Sequence, residues 1–135
     1  MSYDFNADEI YEMAQQIERN GAAFYRKAAA SVDDASGKEL LRNFAEMEVA
    51  HERVFAELKK DLSEKDKTNT TFDPEGEAAL YLRALADTRV FFEKKIDLSS
   101  MKEILKAAIT AEKDSIVFYL GMKEMVPDDL GKAKI

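Results

Sequence analysis

Glu48 and His51 stand three residues apart in the stretch "FAEMEVAHERVF" (44–55), and His51 is the one histidine of the chain. Residues three apart share a helix face, so a carboxylate and an imidazole at this spacing can reach one ion. Their neighbours Phe44, Met47, Val54 and Phe55 are apolar, which puts both polar groups on what reads as the inward side of a helix. Two more glutamates have a similar setting. Glu18 lies at helical spacing beside Ala14, Gly21 and Tyr25, and Glu112 among Leu105, Ala108, Ser115 and Tyr119. Burying an unpaired carboxylate is costly, so three glutamates and a histidine facing one interior need a common partner. A divalent or trivalent metal is such a partner, and oxygen with imidazole-nitrogen donors suits iron, manganese or zinc. The plainer reading is a core histidine bonded to a backbone carbonyl, with Glu18 and Glu112 reaching solvent along their stems.

A repeat favours the metal. Helix-forming "IERNGAAFYRKA" from Ile17 and "AEKDSIVFYLGM" from Ala111 both place a glutamate, then a basic residue, then Phe-Tyr at the same interval. Glu18 thus precedes Tyr25 as Glu112 precedes Tyr119. Two helices related by a pseudo-twofold axis, each aiming a ligand and a tyrosine at a shared centre, produce such a register.

The elements that carry these residues are helices throughout. Five glycines and two prolines, with abundant Ala, Glu, Lys and Leu, predict an all-α fold, and no stretch alternates as a strand does. The first helix is expected over 7–30, opened by Asn6 and Glu9. The second is expected over 37–62, opened by Ser36 and Glu39 as a capping box. The short turn "SVDDASG" between them predicts an antiparallel hairpin. A polar stretch, 63–76, then leads through Asp73-Pro74 into a helix over about 75–96. The last helix is expected over 101–125, opened by Ser100 and Glu103 and stopped at Val126-Pro127.

Composition narrows the function. The chain has 135 residues, enough for one domain with a real core. There is no cysteine, which excludes disulfides, thiolate metal sites and thiol nucleophiles, and fits a cytoplasmic protein. The net charge of −7 argues against nucleic acid as a partner. No apolar run is long enough for a membrane span, and no secretory leader is visible.

At this point the residues resemble a family. "AQQIERNGAAFYRKAA", "FAEMEVAHERVFAEL" and "AAITAEKDSIVFY" are similar to the first three core helices of the ferritin-like di-iron carboxylate proteins, nearest the rubrerythrin-like branch without a rubredoxin domain. The resemblance covers most of the chain. It implies a four-helix bundle of antiparallel helices with a long crossover: 1–62 the first hairpin, 63–100 the crossover with its helix, 101–126 the Glu112 helix. It also implies that Glu18, Glu48, His51 and Glu112 are iron ligands, with manganese or zinc as substitutes, and that Tyr25 and Tyr119 lie close behind them. The implied chemistry is oxidation of ferrous iron by oxygen or peroxide, as a ferroxidase or a peroxide reductase. The latter needs an external electron donor such as rubredoxin, since no cysteine is present.

Two departures from the family pattern matter. Ser115 occupies a position where a further Glu or His is common. The second Glu–x–x–His helix should begin just where the sequence stops, so 127–135 reads as the start of a truncated segment. The last core helix is then missing or supplied by a partner, which predicts a homodimer or larger assembly. The alternative function is a non-catalytic helical interaction module that keeps the ferritin-like fold.

Overall fold

A computed structural model describes residues 7–61 and 97–125. These form three long helices and no strand: α1 (Ala7–Ser31), α2 (Ala35–Lys60) and α3 (Met101–Met125). The fold is all-α, and no helix among the described residues is long and apolar enough to cross a membrane. The helix expected over 75–96, the Asn6 cap and the segment 127–135 lie outside the described residues.

α1 and α2 make the antiparallel hairpin that the short turn predicts. Val32 is buried in that turn and pins it to the core. The cap is not the expected one. Asp34, rather than Ser36, caps α2, its carboxylate accepting from the Gly37 N–H at 2.9 Å. "DDAS" holds several residues able to cap, and with Asp34 in that place Ala35 and Ser36 join the helix. At the other side of the turn α1 has no basic residue in its last turn. Lys38 of α2 fills that role, its ammonium donating to the Ala29 carbonyl at 3.1 Å. At the start of α3 the Ser100 hydroxyl accepts from the Glu103 N–H at 3.3 Å, as expected, while the Ser100 N–H itself donates to the Asp97 carbonyl.

The backbones of α1 and α2 pack closely along their length, whereas α3 stands further from α1. Long side chains fill the wider space. Ile10, Tyr11, Ala14, Ile17, Leu41, Ala45, Phe55, Leu58, Ile104, Phe118 and Met122 form the continuous core. Aromatic rings tie the three helices together: Tyr25 meets Phe44 at 5.3 Å between centroids, and Phe55 stacks on Tyr119 at 5.1 Å. Gly37 lies where the beginnings of α2 and α3 approach, and an added Cβ would come within 3.1 Å of the Met101 sulfur. α2 and α3 therefore start at the same end of the molecule, and α1 runs against both.

Candidate metal centre

Each helix brings one of the glutamates to the middle of this bundle. Glu18 sits on the buried side of α1, between Ala14 and Tyr25, and is only 3% exposed. Glu48, on the face of α2 that also carries Leu41, Ala45 and Phe55, is 4% exposed. Glu112 reaches in from α3 and is half-buried. His51, one turn along from Glu48, turns its Nδ1 toward both carboxylates, at 3.5 Å from Glu18 Oε2 and 3.8 Å from Glu48 Oε2.

The inward side of α2 is not where the apolar arc centres. Met47, Val54 and Leu40 are exposed, the His51 side chain is 52% exposed, and Glu48 is the residue that α2 buries. The arc is wider than one contact, and α1 covers only its Glu48 side. Glu18 does not reach solvent as the plainer reading has it; it is buried.

Glu18, Glu48 and His51 each offer a donor atom within 4.8 Å of the others, a grouping able to hold a metal ion. Glu112 is outside this trio, but its carboxyl lies against that of Glu48. Two features point to a ligand. Glu18 Oε2 is buried and accepts no hydrogen bond, which is costly for a charged oxygen. Glu48 is pushed up to about 11, chiefly by burial and then by the Glu18 and Glu112 carboxyls beside it. A cation among these oxygens would relieve both.

Two tyrosines complete the centre. The Tyr119 hydroxyl on α3 donates to Glu18 Oε1 on α1, and the Tyr25 hydroxyl on α1 donates to Glu112 Oε1 on α3 at 2.9 Å. Burial, with the neighbouring carboxylates, raises both phenols well above their usual range, so they remain donors. The repeat in the sequence thus becomes a crossed pair of bonds. Gln15 carries no sign of function in the sequence beyond lying one turn before Glu18. It is buried, its amide only 3.4 Å from Glu52 and its own oxygen unpartnered. Ser115 is buried too, but its hydroxyl donates to the Ala111 carbonyl of its own helix at 2.9 Å.

Compared with protein-family models, curated proteins and solved structures, the chain gives no match. The reading of the site therefore rests on its own geometry and on the sequence motifs.

Proposed function

We propose that this chain is an iron-binding protein of the ferritin-like, rubrerythrin-like kind, and that Glu18, Glu48, His51 and Glu112 hold the metal. The observation that carries this reading is the buried Glu18–Glu48 pair converging with His51 Nδ1, with Glu18 Oε2 left unpartnered. Iron bound there would supply the redox chemistry, oxidation of ferrous iron by oxygen or peroxide. Glu48, whose carboxyl lies beside those of Glu18 and Glu112, would hold the metal together with them and His51. Tyr25 and Tyr119 keep the outer glutamates in register, and the surrounding core keeps water from the buried oxygens.

The reciprocal tyrosine bonds suit an approximate twofold between α1 and α3. Applied to α2, the same relation calls for a second Glu–x–x–His helix on the exposed side of α3, where Ile109, Ile116 and Leu120 face out. A second copy of the chain is one source of it, and the assembly we propose is a homodimer or larger. Peroxide turnover would draw electrons from a separate protein.

The test is a titration of metal-free protein with ferrous iron under argon, and separately with manganese and zinc. The expected result is bound metal and a rise in melting temperature that grows with its concentration, as for any ligand of the folded state. His51→Ala and Glu48→Gln should abolish both. Unchanged melting across all three metals would overturn the proposal.

A second reading is favoured by a specific observation, the exposed apolar residues Leu40, Met47 and Val54 on α2 and Ile109, Ile116, Val117 and Leu120 on α3. These suit a non-catalytic module that binds another helix. A protein that takes up none of the three metals, and whose stability falls on dilution, would decide for it.

A further inference from the structure

Among the described residues two buried side-chain polar atoms have no hydrogen-bond partner, Glu18 Oε2 and Gln15 Oε1. Gln15 precedes Glu18 by one turn of α1 and is only 6% exposed, so the two oxygens share a helix face just as Glu48 and His51 do. Both side chains reach α2 at neighbouring residues. Glu18 Oε2 faces His51 Nδ1 at 3.5 Å, and the Gln15 amide nitrogen faces Glu52 Oε1 at 3.4 Å. The outer contact fixes which end of the amide is which. Arg19 Nε donates to the same Glu52 oxygen at 3.1 Å, and the carboxylate held there suits only the nitrogen end of Gln15. A flipped amide would set oxygen against oxygen. The carbonyl oxygen is therefore the inward atom, cut off from water, and leaving it without a partner is costly. One cation would satisfy both oxygens at once.

We propose that Gln15 is a further binding residue of the cation site, its amide oxygen joining Glu18 Oε2 on one divalent ion. The donor suits its setting. The carboxyls of Glu18, Glu48 and Glu112 already crowd the centre, and a fourth would add repulsion. An amide oxygen adds a donor and no charge. It is also a hard donor, which favours manganese, whereas zinc leans to nitrogen and sulfur. Gln15 thereby tilts the selectivity of the site toward the harder divalent ions.

This inference rests on the metal-binding reading above, and its test separates the two. Gln15→Met keeps an unbranched side chain of similar length and deletes the amide. Manganese and zinc affinities are measured by calorimetry on wild type and variant, and helix content by circular dichroism. In wild type, the Gln15 side-chain amide is followed by NMR as zinc is added, since polarising the carbonyl moves the attached N–H signals. The expected result is a loss of roughly tenfold in manganese affinity, at the lower end of the range known for groups around a metal centre. The loss for zinc should be smaller and the helix content unchanged. The wild-type Gln15 signals should shift in step with those of His51. Equal losses for the two metals would overturn the proposal, marking Gln15 as a packing residue. Unchanged manganese affinity, or Gln15 signals that stay in place while those of His51 move, would remove Gln15 and leave the metal site standing. A variant that loses its helix content leaves the wild-type NMR titration to decide. Wild type that takes up neither metal would remove the metal reading and the role of Gln15 together.

Discussion

The two flanks of the carboxylate cluster are built on opposite plans. On the flank between α1 and α3, Glu18 and Glu112 are each held by a tyrosine, and the tyrosines are held by Phe55 and Phe44. On the flank where α2 turns outward, His51 is half-exposed between Met47 and Val54, and among the described residues no tyrosine bonds to it. One side is pinned by hydrogen bonds and ring contacts; the other is open to solvent. The difference teaches that burial and access are divided among the helices, so that a single turn of α2 carries the inward Glu48 and the outward His51.

The core behind both flanks is the easier to break. Leu41 of α2 has no exposed surface and packs within that core. Leu41→Ala should cost about 3 kcal/mol, the usual penalty for an unfilled core cavity, visible as a large fall in urea midpoint with an unchanged slope. Removing the cap that sets the register of α2, Asp34→Ala, should cost about 1 kcal/mol. The open flank should respond differently. His51→Ala in metal-free protein should shift stability by less than about 0.5 kcal/mol, because a half-exposed ring contributes little packing; a larger loss would mean that the flank is closed in solution. Ile116→Ser and Leu120→Ser should change stability as little. A fall that deepens with protein concentration in the wild type alone would sharpen the comparison, marking that face as covered by another copy. Smallest of all should be Arg19→Ala. Its bonds to Glu12 and Glu52 are solvent-exposed, and their loss should stay within about 0.5 kcal/mol and vanish in high salt.

Much of this was legible before any coordinates. The three described helices begin and end within two residues of where periodicity places them, because long amphipathic segments with few glycines leave little choice. The Glu–x–x–His spacing and the Glu-to-Tyr repeat marked all four candidate residues. What the residues could not give was orientation. α2 is apolar over an arc wider than α1 covers, and only the packing partner decides that Glu48 turns in while Met47 and Val54 turn out. The crossed bonds were equally out of reach. They depend on α1 and α3 lying antiparallel and adjacent, a tertiary relation that no spacing within either helix contains.

Glu48 carries one further consequence. Burial and its two carboxyl neighbours push its carboxyl far above the usual carboxylate range, so the proposed cation would enter near neutrality by exchange, a proton released to solvent as the carboxylate turns to the metal. Apparent affinity should therefore climb as pH rises from 6 to 8, by up to about tenfold per unit. The heat of binding should change with the ionisation enthalpy of the buffer, and an unbuffered sample should acidify as metal is added. A cluster that binds an ion in this way is an ion exchanger, loaded with a proton whenever the metal is away.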